Sequence, residues 1–507
     1  MFFKHNNYLK WIFMKPLTLY SSLIFTALNL SPLGVGLCNG EDSHSVTNSE
    51  INWSELAVKD VEAAYQLSVI NHPGMYDVRN PGFAKQLEKA KQEGLKLAVK
   101  AHSSQAFAAA ISRFRTVLQD GHAGAIDTLP RELKPQKSWP GFSTVWRGDA
   151  LKVYYSELDA IAKGDKLVSC DNTAINTLLV ERVFRYYGEV QQPGSWWNHG
   201  WRLTIDDGNP FLSPLESCTF EKADGSTYSL KLNWTVRPDD VTEKLKNAYN
   251  GDKLPIELNW PLENIAWISM PTYAPNEQQQ ADYQAMLSAI EQQHSKLMQA
   301  KAVVLDFRHN QGGSSMWSEQ IASALWGSQQ FKYGRYELHK NTQVWWRASK
   351  GNTDYVGELV AGYDKASPWY QWLKTTRDGM QAAYEKGEQF YVEIVSAEQQ
   401  AMPKNVSQFT TPVYVIVPGQ CASACLDALD SFKLFANTQL VGAPSSTDST
   451  YMEVRLETLP SGFAKVILPI KVYVNRPREK GFYYQPDIKF NELEWTTQAL
   501  VKMIAEL

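Results

Sequence analysis

The chain has 507 residues, of which 44% are hydrophobic and 21% charged, with a formal net charge of -4. That length accommodates two or three domains, and the near-neutral balance excludes the basic field that draws nucleic acid, so no nucleic-acid partner is expected. The 17 Trp and 24 Tyr exceed what such cores need. Several stand in polar segments, Trp196-Trp197 and Trp345-Trp346 among them, where rings can grip an extended ligand as well as pack.

Residues 1–40 read as an export signal: Lys4, Lys10 and Lys15 precede an apolar run from Leu17 to Cys38, and small residues lead into Glu41-Asp42. Met14 serves equally well as the start of that signal. Pro32 and several glycines interrupt the run, so no stable membrane span is expected once the signal is removed. Bulky Leu37 argues against lipid attachment at Cys38, and the expected location is periplasmic or secreted. Four cysteines follow. Cys170 with Cys218 and Cys421 with Cys425 are possible disulfides, and four buried thiols fit equally well. No Cys/His spacing suits zinc, so neither a metal nor a cofactor is expected.

In chain order, residues 41–137 form an N-terminal helical region. Ala106, Phe107, Ala110, Ile111, Phe114, Val117 and Leu118 share one helical face. Asp120-Gly121 stops that helix, and His122 follows on a loop. Short strands occupy 138–240: Ser143-Trp146, Leu151-Tyr155 and Tyr228-Trp234. The stretch Gly164-Asp165-Lys166-Leu167-Val168-Ser169 with Asn172-Thr173 resembles a segment of PDZ domains, which bind peptide ends by strand addition. A small β-rich module with no peptide groove is the alternative.

From 241 to 507 strands and helices alternate, as in an α/β domain. Ile265-Met270 reads as a strand, and Tyr283, Met286, Leu287, Ile290, His294 and Leu297 mark one face of a long helix. Ala302-Phe307 and Val413-Val417 read as strands buried on both faces. Between them residues 327–408, rich in Trp and Tyr, are expected to form an inserted cap.

Three remote segments carry candidate chemistry. In the first, Asp306-Phe307-Arg308 leads to Gly312-Gly313, whose bare N–H groups suit an oxyanion. In the second, Val413-Val417 leads through Pro418-Gly419-Gln420-Cys421-Ala422 to Ser423 at a helix start, where the helix dipole favours negative charge and the Ala424 N–H can complete the hole. An ordinary helix cap is the alternative role for Ser423. The third segment is Asp120-Gly121-His122.

Taken with Val441-Gly442, Gly481 and Pro486-Asp487, these segments resemble in order and spacing the C-terminal-processing, or tail-specific, serine peptidases. The resemblance implies a Clp protease/crotonase-like α/β catalytic domain with an inserted PDZ-like module, and a polypeptide substrate. One branch of that family uses a Ser-Lys dyad, but Asp448 stands where its lysine would, with none between Lys433 and Lys465. The tricorn-like branch instead takes a histidine from the helical region and a late glutamate, which here implies catalytic Ser423, His122 and Glu479, with Gly312, Gly313 and Ala424 as the oxyanion hole. Glu479 also lies in the charged run Arg476-Pro477-Arg478-Glu479-Lys480, as a solvated loop would. Gly121 stands where that branch has a serine, so any auxiliary hydroxyl has to come from elsewhere. A non-catalytic binding protein on the same fold and an esterase are the rival readings.

Overall fold

The computed structural model describes residues 51–393 and 402–507. The expected signal and Cys38 lie outside the described residues. Among the described residues, no helix is long and apolar enough to cross a membrane.

Three helices open the fold: α1 (Trp53–Asn71), α2 (Phe83–Ala98) and α3 (Ser104–Leu118). The side chain of Ser103 caps α3 by accepting from the Ala106 N–H at 3.2 Å. Its apolar stripe is buried from Ala106 to Leu118, each large side chain contributing about 1.5–3 kcal/mol. The helix ends at Gln119, left-handed at φ 52°, one residue before the expected stop. Strand β1 (Gly124–Asp127) then pairs with a strand more than three hundred residues later, Gly124 facing Ile467. Helices α1 to α3 and residues 451–472 share one core.

A β-rich module follows, its sheet running in the order β2 (Phe142–Arg147), β3 (Ala150–Ser156), β4 (Lys166–Cys170), β5 (Ser217–Glu221), β6 (Thr227–Lys231). Cys170 and Cys218 face each other across β4 and β5 and are joined by a disulfide. Helix α4 (Pro193–His199) sits between β4 and β5 in sequence.

The central sheet is β7 (Glu257–Leu262), β8 (Ile265–Ser269), β9 (Ala302–Asp306), β12 (Val413–Val417), β13 (Thr438–Gly442) and β16 (Ile488–Lys489), parallel from β8 onward. Strands β8, β9 and β12 are buried at every residue, which is why their sequences are continuously apolar. The helix expected to reach Leu297 breaks at Gln293: α5 covers Glu277–Gln292 and a short turn covers His294–Leu297. Helix α6 (Met316–Trp326) leads into the 327–408 excursion, which carries α7 (Ser328–His339), α8 (Lys350–Gly362) and α9 (Pro368–Glu385). That excursion lends β10 (Gln343–Arg347) and β11 (Phe390–Glu393) to a second sheet, ordered β1, β15 (Ala464–Val474), β10, β11, with β14 (Tyr451–Thr458) also on β15. A mixed α/β architecture with a leading helical region is therefore what the sequence encodes.

Candidate active site

Strand β12 runs into Pro418, and the Cys421 N–H closes a turn onto the Pro418 carbonyl at 3.1 Å. Helix α10 (Ala424–Phe432) starts directly afterwards. Ser423 sits at its head with φ 57° and ψ -129°, a conformation that costs a non-glycine residue about 1–3 kcal/mol. Its side chain makes no capping hydrogen bond. Ser423 is therefore not used as an ordinary cap, and its hydroxyl is left for other partners.

The glycine pair abuts this turn. Gly312 has φ 104°, and a Cβ there would stand 2.8 Å from both the Ala422 carbonyl oxygen and Ser423 Cβ. Asn310 shapes the approach: its Nδ2 donates to the Met270 carbonyl at 2.8 Å while its Oδ1 accepts from the Gly312 N–H at 2.8 Å. The Gly312 N–H is thus already engaged. Among the described residues, the N–H groups of Gly313 and Ala424 have no acceptor. Below the pair, Arg308 forms a buried ion pair with Asp306 at 2.7 Å and reaches Asp252 at 2.8 Å. The Trp267 indole also donates to Asp306 at 2.9 Å. Such fully partnered charges fix the end of β9.

His122 lies in a turn held at both ends. Asp120 Oδ1 accepts from the His122 N–H at 2.9 Å, and Asp120 Oδ2 accepts from Ser449 Oγ at 2.6 Å. His122 Nδ1 is buried and has no hydrogen-bond partner among the described residues.

Glu479 is exposed, but the charged run around it is no solvated loop. Arg476 and Arg478 point inward and are buried. Arg478 donates to Asp430 at 2.8 Å, to Asp448 at 3.1 Å and to Asp427, while Arg476 also reaches Asp427. Asp427 and Asp430 belong to α10, so the segment bearing Glu479 is bolted to the helix that Ser423 begins. Asp448 holds an arginine where a dyad lysine would stand.

The loop after β13 gathers all these pieces. The Ser446 N–H donates to the Cys421 carbonyl at 3.1 Å, the Gly481 N–H donates to the Asp448 carbonyl at 3.4 Å, and Ser449 holds Asp120. The sequence reading passed over Ser446 and Ser449. Its available signal was the unbroken polar run Ser445-Ser446-Thr447-Asp448-Ser449-Thr450 inside a buried domain. Through this loop the neighbourhoods of Ser423, His122 and Glu479 meet, although no hydrogen bond joins His122 to Ser423 or to Glu479.

The β-rich module presses on the same place. A Cβ on Gly194 of α4 would collide with the Gly419 carbonyl and the Ser446 backbone, and one on Gly419 would strike Trp197. Gln420 Oε1 accepts from Asn250 at 3.0 Å and from Gln311 at 3.1 Å, tying the Ser423 turn to the glycine loop. Nearby, burial raises the Glu189 carboxyl to about 7, helped by Asp120 and opposed by Lys480, Gln192 and Arg115. Burial, with Lys480, lowers His72 to about 3.

Residues 264–489 match the family model described as peptidase family S41. The chain carries a peptidase family S41 domain. The matched residues cover the central sheet from β8 onward, the glycine pair and the Ser423 turn. Over most of the chain the fold also resembles a solved structure titled as mature CPAF complexed with lactacystin, at 12% identity and a TM-score of 0.58, covering 89% of this chain and 98% of that one. A second, of mature CPAF, gives 11% identity and a TM-score of 0.59, covering 89% and 96%. At such identity the likeness concerns the fold alone. No curated protein matches the chain in sequence.

Proposed function

We propose that this S41 chain is a serine-type peptidase in which Ser423 attacks the scissile carbonyl and forms an acyl-enzyme. One observation carries the proposal. Ser423 is held at positive φ at the head of α10, its hydroxyl uncommitted, beside the Gly313 and Ala424 N–H groups that have no acceptor among the described residues. Such donors stabilise a developing oxyanion most strongly when positioned in advance. Gly312 serves by its missing side chain, which lets the two loops touch.

His122 takes the Ser423 proton as general base and returns it to the leaving amine. Catalytic hydrogen bonds are often loose before substrate binds, so the missing Ser423–His122 bond is expected to form in the complex. Glu479, carried beside the anchored Arg478, assists the imidazole, whose Nδ1 lacks a partner. This is the tricorn-like arrangement. The β-rich module acts as a PDZ-like platform that guides a polypeptide end toward the turn, and the chain works outside the cytoplasm after losing residues 1–40.

A fluorophosphonate probe tests the reading. Wild type is expected to be labelled on Ser423 and to cleave an unfolded polypeptide, and Ser423→Ala to do neither. Absence of labelling in wild type points instead to a non-catalytic binding protein. Labelling with turnover of esters but not peptides points to an esterase.

A further inference from the structure

A covalent bond closes the nucleophile turn. Cys421 and Cys425 are joined by a disulfide spanning Ala422, Ser423 and Ala424. Both cysteines are fully buried in the core that packs beneath the turn, whereas Ser423 is partly exposed. The bridge therefore lies on the core side of the turn.

Within residues 418–425, Ser423 alone has positive φ. Hydrogen bonds hold the ends of the turn: Cys421 donates to Pro418 at 3.1 Å and accepts from Ser446 at 3.1 Å, and Cys425 donates to Ala422 at 3.1 Å. Among the described residues, the Ser423 N–H donates to no acceptor. The Ser423 carbonyl accepts from the Leu426 N–H at 2.8 Å and the Asp427 N–H at 3.2 Å, so hydrogen bonds pin the residue on its helix side and leave its N–H side unheld. A strained residue persists only where its surroundings over-determine it. The sulfur bridge adds a covalent constraint to those helix hydrogen bonds, because it fixes the Cα atoms of Cys421 and Cys425 5.3 Å apart and leaves three residues to span the gap.

We infer that the Cys421–Cys425 disulfide is a positioning pair for the Ser423 nucleophile, so that the oxidised protein presents the hydroxyl for attack and the dithiol form does not. The inference rests on the peptidase reading of Ser423. Reduction by an external dithiol delivers two electrons and two protons, giving thiols at Cys421 and Cys425 and leaving the reagent as its own disulfide. The Cys170–Cys218 bridge lies in the β-rich module and serves as an internal control.

The test compares fluorophosphonate labelling rate, kcat and KM for wild type, Cys421→Ala/Cys425→Ala and Cys170→Ala/Cys218→Ala, with circular dichroism to confirm folding. The first double variant is expected to lose at least tenfold in labelling rate and in kcat, with KM within twofold of wild type. The second is expected to label normally. A folded Cys421→Ala/Cys425→Ala protein that labels at the wild-type rate overturns the inference. Should that variant not fold, Cys170→Ala/Cys218→Ala is refolded in dithiol and then reoxidised. Labelling that rises on reoxidation supports the positioning role, and equal labelling overturns it. If oxidised wild type neither labels nor cleaves peptide, it is the peptidase reading that has failed.

Discussion

Ser449 Oγ donates to Asp120 Oδ2 at 2.6 Å, joining the loop after β13 to the turn that carries His122 across more than three hundred residues of sequence. Both residues are buried, and the other Asp120 oxygen holds the His122 N–H. A hydrogen bond to a buried carboxylate stabilises by about 1.5–3 kcal/mol. Ser449→Ala is therefore expected to lower unfolding free energy by about 2 kcal/mol and kcat severalfold, with KM little changed. Urea denaturation and steady-state kinetics on one preparation check both, and an unchanged kcat removes Ser449 from the positioning of His122.

Arg478 is the centre of a second tie. Replacing it with Met leaves Asp430 and Asp448 without their strongest partner, and loss of one side of a buried ion cluster costs about 3–5 kcal/mol. Arg478→Lys keeps the charge but not the fork, so its loss should fall between wild type and Met. Chemical denaturation of the three proteins orders them. A Met variant as stable as wild type contradicts the clamp.

Gly312→Ala tests the close approach at the turn. Its added methyl meets the Ala422 carbonyl and Ser423 Cβ at 2.8 Å, and alanine is strained at φ 104°. Labelling of Ser423 should fall by about a hundredfold or more, the scale at which loss of one oxyanion-hole donor is felt. Wild-type labelling in that variant means the two loops do not touch in solution.

Glu189 makes stability depend on pH. Its folded pKa, about 7, lies above the ordinary 4.5, so between those values the folded state holds a proton that the unfolded state has released. Stability therefore falls as pH rises from about 4.5 to about 7, by on the order of 2–3 kcal/mol. His72 acts in the opposite sense, losing stability as pH falls from 6.5 toward about 3, because the folded imidazole stays neutral. The contribution of Glu189 is isolated by difference: Glu189→Gln should gain stability relative to wild type at pH 8 and not at pH 4. Parallel pH profiles for the two proteins contradict this account.

Local pattern made much of this molecule legible in advance. Strands β8, β9 and β12 announce themselves because burial on both faces demands unbroken apolar runs, and α3 because one face must be apolar at helical spacing. The turns after β9 and β12 were legible for a similar reason, since each is a short contiguous stretch between a buried strand and a helix. The break at Gln293 and the burial of Arg476 and Arg478 were not. A charged run looks solvated until the opposing carboxylates of Asp427, Asp430 and Asp448 are in place, and those come from other segments. The same holds for the polar run from Ser445 to Thr450, which is ordinary as sequence and becomes the meeting point only when β13 delivers it between α3 and α10. Sequence alone fixed which residues can do chemistry, because reactivity belongs to side chains and their immediate neighbours. Tertiary structure decided which of them are engaged: Gly312 gives its N–H to Asn310 while Gly313 keeps its own, and hydrogen bonding between remote segments is decided by distance in space.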